Sequence, residues 1–361
     1  MPAAVTPINR GCYCEGDLDF KMIKNIALIG TTSSGKSTIA NLLSSHFVLP
    51  SGVQETTTLI VDIFISNRII KSTNGANGLC LTVHDDNFNE VNKIYGNSNQ
   101  IRQHLEEMMM LSENRDQFIR LDLTKENNHS YLFEIIKYYF RCFLLKRQPI
   151  HKILSMPDGF FISDFPGFKY EFDNECLSLI NRRIGKDTHI LFVFNAEETD
   201  SNKEYKLLLT VCSLLRDRDM DCTSISFVMN RKEVFFRDDN PEDSLNCAIQ
   251  HREKLIQKVI LDVWKDQVNY SPKIIPISAA PIFATEMLCW HYEHLSSDDS
   301  QFLTNRLFQW SNCLLPKVVT DELPRATIDW NYFHWMRVFN NMYQITGLND
   351  LILKLKTVMT V

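Results

Sequence analysis

Nine consecutive residues, Gly30-Thr31-Thr32-Ser33-Ser34-Gly35-Lys36-Ser37-Thr38, fit the pattern G-x-x-x-x-G-K-S. That spacing suits a polyphosphate. The two glycines let the backbone turn its N–H groups inward around a β-phosphate, and a helix starting just beyond adds its positive N-terminal end. In this chemistry Lys36 reaches the β and γ oxygens and the Ser37 hydroxyl ligates Mg²⁺. A second candidate is Asp164-Phe165-Pro166-Gly167. An acidic residue closing a buried strand steadies the metal through water, and Gly167 would offer its N–H to a γ-phosphate and shift when that phosphate leaves. Asp-x-Pro-Gly is also a common turn, so it gains weight from the company of the first motif.

Three further segments complete the set. In Val53-Gln54-Glu55-Thr56-Thr57-Thr58, Thr56 or Thr57 would supply a hydroxyl to Mg²⁺ and a backbone contact to the γ-phosphate, although β-branched residues also simply open strands. Asn230-Arg231-Lys232-Glu233 places a carboxylate where it would accept from both N1–H and N2–H₂ of guanine, a donor pair adenine lacks. Asn230 would serve the base N7 or tie loops together, and the aliphatic stem of Arg231 would cover one face of the base. The plainer alternative is a solvated charged loop. Last comes Ser278-Ala279-Ala280, whose Ala279 N–H would meet the guanine O6 unless the segment is only a small-residue strand end.

The elements around these residues follow in the order such a site requires. Lys24 to Gly30 is a short apolar run ending in glycine, a buried strand. Ser37 to Ser45 has helical spacing at Ile39, Leu42 and Leu43. Strands are expected at 58–65, 78–83, 159–164, 187–195, 223–229 and 273–278. Helices are expected at 97–123, 131–145, 203–216 and 241–268, and at the end from Thr346 to Thr357, with Thr346 as its cap and Asp350 in its first turn. Alternation of this kind predicts an α/β fold in three layers, a mostly parallel central sheet covered on both faces, with ligands at the C-terminal strand ends. Residues 1–20 read as an N-terminal arm and 21–361 as a single domain, with helical insertions at about 97–150 and 281–335. The second insertion carries Trp290, Phe302, Phe308 and Trp310, large aromatics that belong in a core.

The five motifs GTTSSGKST, ETTT, DFPG, NRKE and SAA, in this order and on these elements, resemble those of the dynamin-like large GTPases and the neighbouring immunity-related GTPases. Leu49-Pro50-Ser51-Gly52 and the closing helix at Thr346-Gly347-Leu348 look like parts of the same GTPase domain. The resemblance runs over about residues 24 to 360. It implies binding of GTP and GDP, hydrolysis with Mg²⁺, a homodimer formed across the nucleotide sites, and often a membrane target. By this likeness Ser33, Lys36, Thr57 and Gly167 act on the reaction, and Ser33 would help hold a monovalent cation, K⁺ or Na⁺. Gly30 to Thr38, Asn230, Arg231, Glu233, Ser278 and Ala279 hold the nucleotide, and Ser37, Thr56, Thr57 and Asp164 hold the metal. Two departures stand out. Thr32 occupies the position where dynamins carry a water-positioning glutamine, and Glu233 replaces the usual Asp. They keep two rivals in view: a nucleotide-dependent switch or scaffold that does not hydrolyse, and an ATP-dependent P-loop enzyme.

Composition narrows the class. The net charge of −6 over 361 residues gives no support for a nucleic-acid binder. No apolar run approaches a membrane span and Met1 to Asp19 does not read as a secretory signal, so a cytoplasmic protein, peripheral to a membrane at most, is expected. The ten cysteines are scattered without a C-x-x-C pair. Cys142, Cys212, Cys289 and Cys313 are read as small buried hydrophobes.

Overall fold

In a computed structural model the described residues are 24–50, 59–65, 79–84, 90–110, 118–123, 142, 145, 147–154, 159–168, 174–265, 270–292, 295–314 and 332–360. The first strand shows how the layers arise. In β1 (Lys24–Gly30), Ile26 and Leu28 point into one apolar cluster while Ala27 and Ile29 point into another. Side chains alternate across a strand, so a run that is apolar at every position needs cover on both faces.

That cover comes from helices on each side. One face is packed by α1 (Lys36–Ser44), α2 (Ser98–Met110), α3 (Ile150–Leu154) and a group of later helices. These are α7 (Ala279–Trp290), α8 (Ser297–Leu314), α9 (Tyr332–Ile345) and α10 (Leu348–Thr360). The other face is packed by α4 (Asn174–Arg183), α5 (Ser201–Arg216) and α6 (Pro241–Val263). The start signals of the second group match their sequence. Asp200 caps α5 by accepting from the Asn202 N–H, and α6 begins with Pro241 followed by Glu242 and Asp243, acids that favour a helix N-terminus.

Between the layers lies a nine-stranded sheet of order β4-β3-β5-β2-β6-β1-β7-β8-β9. Its members are β2 (Ile60–Ile65), β3 (Leu79–His84), β4 (Glu90–Gly96), β5 (Phe118–Leu123), β6 (Phe160–Asp164), β7 (Thr188–Asn195), β8 (Ile225–Asn230) and β9 (Ile274–Ile277). Pairing is parallel from β6 through β1, β7 and β8 to β9, and between β2 and β5. It is antiparallel where β2 meets β6 and where β3 meets β5 and β4. The sheet is thus mostly parallel, as the alternation predicted.

Three expectations change. Residues 97–123 are not one helix, because Phe118–Leu123 form β5, which inserts between β3 and β2. Thr346 does not cap the last helix. Its hydroxyl turns back to the Met342 carbonyl, and α10 starts after Gly347, which sits at φ +79. Cys313 is exposed on α8, while Cys212 and Cys289 are buried. The apolar helix expected at 131–145 lies almost wholly outside the described residues. Of the later aromatics Trp290 is buried, Phe308 and Trp310 pack against the core, and Phe302 is exposed.

Candidate functional site

The G-x-x-x-x-G-K-S segment follows β1 and leads into α1. Gly35 precedes that helix at φ +88, a left-handed conformation in which glycine carries no Cβ penalty, and Ser33 also has positive φ at 61. A Cβ on Gly35 would stand 2.1 Å from Asn230 Nδ2, and one on Gly30 would stand 2.3 Å from the Val193 carbonyl oxygen. The loop is therefore closed down so tightly that only hydrogen fits at either end. No side chain caps α1 and its first turn holds no acidic residue, which leaves the helix end suited to an anion.

Within the loop, Lys36 is buried and donates to the carbonyls of Gly30 (3.2 Å) and Thr31 (3.0 Å). The hydroxyls of Thr31 and Ser34 are buried and make no hydrogen bond among the described residues. Thr38 stands half-buried in the first turn of α1. The Ser37 hydroxyl donates to Asp164 Oδ2 at 2.7 Å, across 127 residues of chain. Asp164 itself ends β6 and is fully buried. A hydroxyl and a carboxylate side by side are hard oxygen donors of the kind Mg²⁺ takes.

Beyond Asp164 the β1–β6 ladder continues with one irregularity. Leu28 pairs with Asp164 and Thr31 bridges Phe168. Two residues on one side, Ile29 and Gly30, thus face three on the other, Phe165, Pro166 and Gly167, which is a bulge. Hydrogen bonds fix both ends of it, Phe165 N–H to Leu28 and Phe168 N–H to Gly30. Thr32 donates to the Phe168 carbonyl through both its N–H (3.4 Å) and its hydroxyl (3.3 Å). A Cβ on Gly167 would meet Thr32 Cα at 2.7 Å. Gly167, the candidate for a γ-phosphate contact, thus lies close against Thr32 of the phosphate loop.

The base-reading candidates converge on the same end of the sheet. Asn230, buried at the end of β8, donates to the Ser34 carbonyl at 2.9 Å and accepts the Ala279 N–H at 2.9 Å. Of the two roles proposed for it, tying loops together is the one the geometry displays. The Ala279 N–H, expected at a guanine O6, is given to Asn230 Oδ1 in this structure. Arg231 adopts the left-handed region at φ 67 and makes an ion pair with Glu197. Glu233 lies in the 3-10 turn Lys232–Arg237, and burial raises its carboxyl above the usual range while the Ser278 hydroxyl beside it acts to lower it. Thr56 and Thr57 lie outside the described residues.

Two contributors escape motif reading. Glu197 is one. The other is Arg252 of α6, which donates to the carbonyls of Asn195 (2.9 Å) and Glu198 (3.1 Å) and so fixes the loop after β7. Behind it, Glu204 stands 3.3 Å from Arg252, its carboxyl pushed up to about 7 by burial against the opposing pull of that guanidinium.

A phosphate-cradling loop between strand and helix, a serine joined to the acid of the neighbouring strand, and a mostly parallel sheet covered on both faces define a P-loop nucleotide-binding protein. Residues 26–218 match the model of the dynamin family. The chain belongs to that family. Solved structures similar to it come from work on an oligomerised bacterial dynamin pair, described as providing a mechanism for long-range sensing and tethering of membranes. One is 12% identical with a TM-score of 0.42 and another 13% identical with a TM-score of 0.40. Each match covers 94% of this chain and 50% of the other, so the chain spans about half the length of those proteins. No curated protein matches the sequence.

Proposed function

We propose that the chain binds GTP and hydrolyses it to GDP and phosphate with Mg²⁺, slowly as a single copy and faster when two copies pair across their nucleotide sites. The observation that carries this reading is the Ser37–Asp164 contact at 2.7 Å, which joins the phosphate loop to the acidic strand end. Around it the chain offers positioning and fixed charge, which is most of what phosphoryl transfer asks of a protein. Lys36, buried against the loop's own carbonyls, neutralises charge on the β and γ oxygens. The bulge holds the Gly167 N–H towards the γ-phosphate, and Ser33 helps hold K⁺ or Na⁺. Mg²⁺ bound at Ser37, with Asp164 steadying its water shell and Thr56 or Thr57 completing the set, supplies charge neutralisation at the phosphates. Glu233 selects guanine. The setting is cytoplasmic and at most peripheral to a membrane or a protein target, and no helix among the described residues is long and apolar enough to cross a bilayer.

Calorimetry with GTP, GDP and ATP tests this. Wild type should prefer GTP, and Lys36→Ala should abolish binding. Unchanged affinity in Lys36→Ala would remove the cradle, and equal affinity for GTP and ATP would favour the ATP-dependent reading. The rate of phosphate release per molecule should rise with protein concentration and differ between K⁺ and Na⁺.

A second reading, a nucleotide switch with negligible turnover, is favoured by one contact. The Thr32 hydroxyl is engaged on the Phe168 carbonyl, which leaves the position of the family's water-orienting glutamine without an equivalent group. GTP binding without phosphate release at any protein concentration would establish it.

A further inference from the structure

Glu233 follows two cations in the chain, Arg231 and Lys232, which attract it without forming an ion pair with it among the described residues. Arg231 sends its guanidinium to the carboxylate of Glu197 instead. Lys232, its charge disfavoured by burial, interacts more strongly with Asp350 of α10 than with Glu233. Glu233 Oε2 is buried and makes no geometric hydrogen bond among the described residues, and the Ser278 hydroxyl beside it is the strongest favourable influence on its charged form. A buried acceptor left open beside two cations is costly in an empty pocket and useful in one that receives N–H donors.

Glu197 is firmly placed for this. Its loop is bound to the neighbouring strand end by the Ala196 N–H on the Asn230 carbonyl (3.0 Å) and by its own N–H on Asn195 Oδ1 (3.1 Å). Arg252 ties the same loop from below. The Glu197–Arg231 pair is half-exposed, and such pairs add little to stability. Its consequence lies in where it puts the guanidinium.

We propose that Glu197 is a specificity-determining positioning residue: by holding Arg231 aside it keeps the Glu233 carboxylate open to the paired N1–H and N2–H₂ donors of guanine. The inference rests on the reading of Asn230 to Glu233 as the base-recognition segment. Without Glu197, the Arg231 guanidinium is released beside an acceptor of matching shape and closes on Glu233, since arginine and carboxylate pair readily through two hydrogen bonds.

The test compares GTP with inosine triphosphate, whose base lacks the 2-amino group. Stacking of the Arg231 stem affects both nucleotides alike, so the ratio of their Kd values reports the carboxylate alone. Wild type should favour GTP by about 10-fold or more, the worth of one hydrogen bond to a charged group. Glu197→Ala should bring the ratio close to one. Adding Arg231→Ala to it should restore the wild-type ratio, although both affinities fall. A Glu197→Ala ratio equal to wild type, or a double variant no better than Glu197→Ala, overturns the proposal while leaving guanine recognition intact. Wild type that binds GTP and inosine triphosphate equally overturns the base-reading role of Glu233 itself, and this inference with it. Each variant's melting temperature should stay near wild type, which separates lost selectivity from lost fold.

Discussion

Asn230 touches both the phosphate loop and the start of α7, which makes its removal informative. It is 3% exposed, and its amide spends both ends on backbone, donating to the Ser34 carbonyl and accepting from the Ala279 N–H, each at 2.9 Å. Asn230→Ala leaves a carbonyl and an N–H unpaired in a dry place. Each such group costs about 1–3 kcal/mol, so the expected loss of stability is about 2–6 kcal/mol. Asn230→Asp separates the two contacts. It keeps an oxygen for Ala279 but sets a carboxylate oxygen against the Ser34 carbonyl, so the damage falls on the phosphate loop. Urea unfolding and calorimetric titration with GDP should show both variants destabilised and both weakened in GDP binding. Asn230→Asp should lose at least as much GDP affinity as Asn230→Ala. An Asn230→Ala protein within about 0.5 kcal/mol of wild type would refute the clasp, because that is the scatter of uninvolved surface changes.

Two buried carboxyls give further predictions. Glu204 keeps its proton to about pH 7 in the fold, against an ordinary value of 4.5. Between those values the native state binds more protons than the unfolded chain, so stability contributed by this group falls as pH rises through that window, by about 3 kcal/mol in all. The stability difference between wild type and Glu204→Gln, followed by urea unfolding from pH 4.5 to 7.5, should decline by that order, and a flat difference would count against the assignment. Glu286 of α7 is wholly buried. It accepts from the Ile150 N–H (2.6 Å), the Tyr343 hydroxyl (2.8 Å) and the Ser45 hydroxyl (3.4 Å), with Arg147 at 3.9 Å. Glu286→Ala strands the Arg147 charge and should cost about 3–5 kcal/mol in the same assay. A loss below about 1 kcal/mol would show that water replaces the carboxylate.

What the sequence revealed, and what it hid, follows from the range of the interactions. Strands such as β7 are buried at every position because both faces are covered, and Ile190 to Phe194 is an unbroken apolar run, so such runs are conspicuous. The phosphate loop is legible for a related reason, since its glycines answer to local backbone geometry. β5 was hidden by its charges. Phe118-Ile119-Arg120-Leu121-Asp122-Leu123 does alternate, with Ile119 and Leu121 buried, but Arg120 and Asp122 after a polar stretch read as helix. Arg120 lies over rings far away in sequence, Phe64 and Phe161, at 5.3 and 5.2 Å. Glu197 and Arg252 were invisible because they act through carbonyls and a guanidinium brought close only by the sheet. The use of the Ala279 N–H had no signature either, since any residue there would present the same backbone donor.

The geometry also limits what can move. α1 carries the cradle at one end, through Lys36 and Ser37, and is tied down at the other. Its Asn41 accepts the N–H groups of Val48 (3.2 Å) and Leu49 (2.8 Å) and donates to the Leu49 carbonyl (2.8 Å). Its C-cap Ser45 reaches Glu286 in the helical layer. The Asp164 to Phe168 turn is bonded to β1 on both sides of its bulge and latched again by Thr32. Displacing it would break several backbone hydrogen bonds at once, each worth about 0.5–1.5 kcal/mol net. A γ-phosphate that accepts a single glycine N–H would set one charge-assisted hydrogen bond, worth about 1.5–3 kcal/mol, against that cost. Among the described residues the cradle, α1 and the bulge are therefore bound into one another by side-chain and backbone hydrogen bonds, and not joined by the covalent chain alone.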